Sequence, residues 1–254
     1  MGNIDTGAYA GMIAETISLT GAGGDAIRAY LARPLGTGPF PAVLLLHHRP
    51  GWDAWYRQSA RRFAEHGYVA LCPDLYSRDG SGDPDDVAAK VNAAGGVADE
   101  RVVADAEASI ALLTSMPQTS GRVATFGTCS GGRHALLVGC RSERVDAVVN
   151  CWGGRVVVAD GDVTGQQPIP PVELVAGLRA PVLGLFGLDD SSPSPSDVDI
   201  LEAALARHGK VHEFHRYEGA GHGFFYEDRP ANFRAQQARD GWQKVFDFLA
   251  RTIG

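Results

Sequence analysis

Gly127-Thr128-Cys129-Ser130-Gly131 centres a cysteine in a G-x-C-x-G pentapeptide. A strand-like run, Val123 to Phe126, precedes it, and a helix-like run, Gly131 to Cys140, follows. A sharp turn from strand into helix forces the central residue into an unfavourable backbone conformation. Side chains two residues to either side would collide, so both positions are glycine. The thiol then stands exposed at a helix N-terminus, where the dipole and free N–H groups favour the thiolate. Ser130 fits the nucleophile's place less well, because Thr128 and not glycine lies two residues before it. An ordinary thiol, with a pKa of about 8.5, is only a few per cent ionised at neutral pH, so Cys129 needs a base.

Two further segments supply one. Asp189-Asp190 follows the strand-like Pro181 to Phe186 and Gly187, and His222 sits in Gly219-Ala220-Gly221-His222-Gly223, just past the strand-like Val211 to Tyr217. Nucleophile, acid and histidine thus come in that order, each at the C-terminal end of a strand, the edge where open α/β sheets place their sites. Asp190 is better placed than Asp189 to orient the histidine, lying three residues after Gly187. The chemistry expected is nucleophilic attack by a base-activated thiol.

The elements that must position these residues alternate along the chain. Met12 to Thr20 and Ala26 to Arg33 read as two strands around Gly21-Ala22-Gly23-Gly24. Gly21-x-Gly23-x-x-Ala26 has dinucleotide-fingerprint spacing, but the helix that the fingerprint needs is missing before Pro34, so a hairpin is expected. Ala42 to Leu46 has the unbroken apolar run of a buried parallel strand. A helix over Ala54 to His66, a strand Tyr68 to Leu71, a helix Asp99 to Ser115 and a strand Val145 to Cys151 follow. Asp197 to His208 and Phe233 to Thr252 read as helices, the latter amphipathic through Trp242, Val245, Phe246 and Leu249. Ser77 to Gly96, polar and rich in Gly and Asp, reads as a surface excursion. The pattern predicts a mostly parallel sheet flanked by helices, with an N-terminal antiparallel hairpin, in one α/β domain spanning 1–254.

Composition narrows the partners. The chain has 254 residues, 44% hydrophobic and 21% charged, which suits a globule with a sizeable core. The net charge of −7 and the lack of a basic run argue against nucleic acid and anionic membranes. The longest aliphatic run, Ala42 to Leu46, is far too short to span a membrane. Cys72, Cys129, Cys140 and Cys151 form no C-x-x-C pair, and no signal peptide is read before them, so a cytoplasmic location with reduced thiols is expected. Met1 to Thr6 fits the loose M-G-x-x-x-[ST] myristoylation pattern without a polybasic second signal, and coincidence is the better reading. His47 and His48 are adjacent, would point to opposite faces of a strand, and make a poor chelating pair; no metal and no cofactor are expected.

These residues support a family resemblance. The Cys129 elbow, Asp190 and His222, together with Cys72-Pro73-Asp74-Leu75-Tyr76, Leu183 to Gly187 and Gly219 to Phe224, resemble the dienelactone hydrolase family of the α/β-hydrolase superfamily. The resemblance runs from about Ile17 to the end of the chain, with the elbow and the Cys-Pro-Asp-Leu-Tyr stretch its most specific parts. It implies an α/β-hydrolase fold and Cys-dependent hydrolysis of a small-molecule ester or lactone through a thioester, by a monomer or homodimer. It also implies an oxyanion held by the backbone N–H groups of Ser130 and Arg49. Arg78, just after Tyr76, takes the place of an arginine that contacts a substrate carboxylate, and His48 stands where enzymes of the type kind carry a glutamate. A second family arginine has no counterpart, since Phe224-Phe225-Tyr226 occupies its place. His48, Arg78, Trp52, Trp152 and Phe224 are therefore expected around the substrate. The stretch between Cys129 and Asp190 is longer than the resemblance leads one to expect, and Gly153 to Pro171 holds the extra length near the pocket. The rival readings are a general carboxylesterase or thioesterase of the same fold, a thiol redox protein using Cys129, and a silent binding protein.

Overall fold

Alternating apolar strands and amphipathic helices leave the sheet with two faces to cover, and helices cover both in the computed structural model, which describes residues 11–159 and 161–254. The Met1 to Thr6 motif lies outside the described residues. In chain order the elements are β1 (Met12–Thr20), β2 (Ala26–Pro34), β3 (Phe40–Leu46), α1 (Ala54–Glu65), β4 (Val69–Pro73), α2 (Pro84–Ala93), α3 (Asp99–Ser115), β5 (Thr119–Thr128), α4 (Ser130–Arg141), β6 (Ala147–Cys151), α5 (Pro171–Leu174), β7 (Val182–Gly187), α6 (Pro195–Arg207), β8 (His212–Tyr217) and α7 (Ala235–Thr252). The eight strands form one sheet in the order β1-β2-β4-β3-β5-β6-β7-β8. β1 pairs antiparallel with β2, as the turn chemistry led us to expect, and β2 antiparallel with β4; the others run parallel.

β5 shows how the layers are built. Successive residues point to opposite faces. Phe126 packs beside Phe63 of α1 and Trp242 of α7, whereas the Thr125 hydroxyl donates to the carbonyl of Ala135 in α4. So α1 and α7 cover one face and α4 the other. The central strands Ala42 to Leu46 and Ala147 to Val149 are fully buried, which accounts for their unbroken apolar sequences. On the α4 side, Arg133 makes a bidentate ion pair with Asp99 at the start of α3 (2.5 and 3.0 Å). Both side chains are buried, so the pair fixes the helix behind the elbow in one orientation.

The segment Ser77 to Gly96 departs from expectation, for it contains α2. Its Gly- and Asp-rich composition suggested a loop. However, Asp83 caps the helix through the Asp85 N–H (2.9 Å), Pro84 takes the first turn, and Asp85 and Asp86 complement the helix dipole. The aspartates that read as loop formers are a helix start.

Candidate active site

The C-terminal ends of β3, β5, β7 and β8 gather the chemistry-bearing residues. β5 runs into α4 through Cys129, which lies at φ 56°, ψ −127°. A residue other than glycine is uncommon at positive φ and strained there. The neighbours make the turn possible. A Cβ on Gly127 would collide with the backbone of Gly131, and one on Gly131 with the carbonyl of Leu46 at the end of β3. The Cys129 N–H donates to the carbonyl of Cys151 (3.1 Å), tying the turn to β6.

His222 reaches the thiol from the loop after β8. Its Nδ1 donates to Asp190 Oδ2 (2.9 Å), so its other ring nitrogen is the one that hydrogen-bonds Cys129. The second oxygen of Asp190 accepts the Ser192 N–H (2.9 Å), and Asn232 Nδ2 donates to the carbonyl of His222 (2.8 Å), which steadies acid and histidine in turn. The neighbouring Asp189 makes a backbone bond to Ala220 instead (2.9 Å), so the ring faces Asp190.

Electrostatics couples the two groups. Burial pushes the Cys129 thiol up, but the hydrogen bond and charge of His222, with the N–H groups of Ser130 and Arg49 aimed at the sulfur, outweigh it and hold the thiol below its ordinary value. Burial lowers His222, yet its bonds to Asp190 and Cys129 push it up to about 10. The resting pair is thus biased toward thiolate and imidazolium. The other cysteines behave oppositely: burial pushes Cys140 up to about 12 and raises Cys72 and Cys151 well above the ordinary thiol value.

Beneath the elbow lies a buried polar chain. His48 Nε2 bonds Asp53 Oδ2 (2.7 Å) and its Nδ1 bonds the Tyr226 hydroxyl (2.9 Å). Tyr226 bonds Thr128 Oγ1 (2.7 Å), and Thr128 Oγ1 bonds the Tyr56 hydroxyl (2.9 Å), which also accepts the Thr128 N–H (2.9 Å). One set of donors satisfies every member. Tyr56 donates to Thr128, Thr128 to Tyr226, Tyr226 to His48, and His48 to the Asp53 carboxylate. Tyr56, Thr128 and Tyr226 were not anticipated as a unit; a tyrosine closing the apolar run Phe224-Phe225-Tyr226 is the one sequence signal for it.

Four of the expected substrate contacts are corrected by these positions. His48 is buried, with both ring nitrogens engaged in that chain. Arg78 points toward the hairpin, where it pairs with Asp105 (2.7 Å) and Asp25 (2.7 Å) and donates to the carbonyl of Ala22 (3.0 Å). Trp152 and Phe224 are fully buried and pack on each other with ring centres 4.7 Å apart. Trp52 is half-buried and lines a cavity of about 420 Å³ with Arg28, Arg57 and Asp74. A second cavity, about 220 Å³, lies across Tyr76 from the first; Ser130 and Arg49 line it with Asn92, His134, Arg155 and Thr164. The smaller one adjoins the elbow through Ser130. Among the described residues no group of histidines, cysteines and carboxylates is placed to hold a metal ion, and no helix is long and apolar enough to cross a membrane.

The sequence profile of the dienelactone hydrolase family matches residues 27–253. The chain belongs to that family. A protein of Methylorubrum extorquens provisionally named a carboxymethylenebutenolidase is 35% identical over 231 residues, covering 88% of this chain and 76% of the relative. One of Salmonella typhimurium with the same provisional name is 33% identical over 249 residues, covering 96% of this chain and 90% of the relative. The crystal structure of a protein from Klebsiella pneumoniae, provisionally described as a dienelactone hydrolase, superposes with a TM-score of 0.86 at 30% identity, covering 94% of this chain and 99% of that one. The α/β-hydrolase fold and the family read from the elbow and its companion motifs agree with these likenesses.

Proposed function

We propose that the protein hydrolyses small carboxylic esters or lactones through a Cys129–His222–Asp190 triad and a thioester intermediate. The observation that supports this most is the convergence on one sulfur of the His222 ring and the Ser130 and Arg49 N–H groups, at a residue held at positive φ. Likeness to carboxymethylenebutenolidases, whose name denotes a lactone hydrolase, points to the same reaction.

The sulfur adds to the carbonyl carbon as thiolate. The carbonyl π pair moves onto oxygen, which takes the place between the two amides; one such donor is worth about 3 kcal/mol in comparable sites. Collapse breaks the C–O bond. His222 gives its Nε2 proton to the departing alkoxide, which in a lactone stays attached to the acyl chain. Water then loses a proton to the neutral ring and adds to the thioester. The C–S bond breaks, the acid leaves, and thiolate and imidazolium are restored. Asp190 keeps the imidazole in the tautomer that faces sulfur and stabilises the imidazolium.

A panel of lactones and activated esters tests the reading. Wild type should turn over at least one, Cys129→Ala none, and a rapidly quenched reaction should show the intact chain with one acyl group added at Cys129. Unchanged rates in Cys129→Ala would reject the nucleophile.

A further inference from the structure

The two amides aimed at the Cys129 sulfur are held by different means. That of Ser130 opens α4, and the helix sets its direction. That of Arg49 lies in the loop after β3, beyond the last strand residue Leu46, and needs another support. An N–H shares one rigid plane with the carbonyl of the preceding residue, so the Arg49 N–H points where the His48 carbonyl lets it. That carbonyl accepts from the Gly51 N–H (2.9 Å) and from Nδ1 of the buried His47 ring (2.9 Å). The other ring nitrogen, Nε2, accepts the Leu75 N–H (3.0 Å). A backbone N–H can only donate, so Nε2 carries no proton and Nδ1 does. Burial pushes the ring down to about 4, which keeps it neutral and in that tautomer.

The far end of this link is the Cys72-Pro73-Asp74-Leu75-Tyr76 stretch that closes β4. The Asp74 carboxylate accepts the Tyr76 N–H (3.0 Å) and pairs with Arg28 (2.6 Å), so the turn that presents the Leu75 N–H is itself fixed. Tyr76 then reaches back to the same loop. Its hydroxyl donates to the carbonyl of Arg49 (3.0 Å), and its ring stands edge-on to His47 with centres 4.6 Å apart. One turn therefore grips the peptide before Arg49 through His47 and the peptide after it through Tyr76. A carbonyl that accepts hydrogen bonds polarises its peptide, and the N–H on the opposite side becomes a stronger donor.

Resting on the nucleophile reading above, we propose that His47 is the positioning residue of the second oxyanion donor. Its ring orients and polarises the His48–Arg49 peptide, so that the Arg49 N–H meets the charge that develops on the substrate's carbonyl oxygen. Tyr76 is the second grip on the same loop. The effect belongs to the transition state, because the oxygen becomes a strong acceptor only as the sulfur adds. It therefore appears in kcat and not in KM.

Two isosteres separate the two bonds of the ring. An asparagine amide nitrogen takes the place of Nδ1 and keeps the donor to the His48 carbonyl. A glutamine amide takes the place of Nε2 and keeps a partner for Leu75 alone. On an activated ester, His47→Gln should lower kcat about thirtyfold with KM little changed, and His47→Asn should stay within about threefold of wild type. A trifluoromethyl ketone of the same acyl group takes the thiolate at its carbonyl carbon, and the π pair moves onto oxygen; its affinity should fall with kcat in His47→Gln. Iodoacetamide alkylates the sulfur by displacing iodide and forms no oxyanion, so its rate should be the same in wild type and both variants. Tyr76→Phe removes one hydroxyl and keeps the ring; kcat should fall about fivefold, and this variant decides if neither His47 variant folds. Wild-type kcat in His47→Gln, equal losses in the two His47 variants, alkylation that slows in step with kcat, or, where it alone folds, wild-type kcat in Tyr76→Phe overturns the proposal while the hydrolase reading stands. A wild type that turns over no ester or lactone overturns both readings.

Discussion

The two sides of the elbow are built to opposite rules. Below it, from Tyr56 through Thr128, Tyr226 and His48 to Asp53, every polar group is partnered and packed among aromatic rings. Above it, Arg49 and Arg155 are exposed and held by neutral groups alone among the described residues, Arg49 by Asn92 and Arg155 by Gln167 and the carbonyl of Asp162. A satisfied buried network is rigid and specifies one geometry, whereas an unsatisfied one is completed from outside. The lower side therefore holds the turn at Cys129 in one geometry, and the upper side borders the smaller cavity.

The largest test of that division is Asp190→Asn. It leaves the fold and the cavity in place but removes the charge and can turn the ring to the wrong tautomer; kcat should fall about a thousandfold, with KM little changed. The pH profile sharpens the same point. In wild type, kcat/KM should rise on an acid limb set by Cys129, below the ordinary thiol range, and fall near pH 10 as His222 loses its proton. Asp190 favours the imidazolium, so its loss lowers that value, and the alkaline limb of the variant should move to lower pH. The two limbs belong to the coupled pair and are read as such.

Tyr226→Phe probes the lower side alone. It deprives His48 Nδ1 and Thr128 Oγ1 of their shared partner, so denaturant unfolding should show a loss of about 1–3 kcal/mol. Because Thr128 immediately precedes Cys129, kcat should drop about tenfold with KM little changed. A variant that changed KM and not kcat would erase the distinction between the two sides. Smallest in its effect on catalysis is Arg78→Met. Both kcat and KM should match wild type, while stability falls by about 3 kcal/mol because Asp105, wholly buried, loses its counter-charge.

The members of the proposed triad were legible because a sharp turn from strand into helix dictates residue types within five positions, and because each partner follows a recognisable strand. Asp190 could be preferred to Asp189 from its offset to Gly187, and the ring does face it. Arg78 was misread for a physical reason. Its position after Tyr76 fixes where its Cα lies, but its direction is set by Asp25 and Asp105, on the hairpin and on α3. No local pattern reports such a long-range ion pair. His48, Trp152 and Phe224 stood close in sequence to the motif loops, and proximity along the chain did not distinguish facing the cavity from facing the core. The polar chain under the elbow joins residues from three separate segments, 48–56, Thr128 and Tyr226, so only the assembled sheet brings it together.

Gly131 touches the backbone at the end of β3, and Arg49 follows three residues after that end. A thermal displacement of the sulfur must therefore drag its neighbouring strand, and with it the second amide that would cradle the developing negative charge. Attacker and cradle travel as one body, so their spacing survives breathing motions of the surrounding helices.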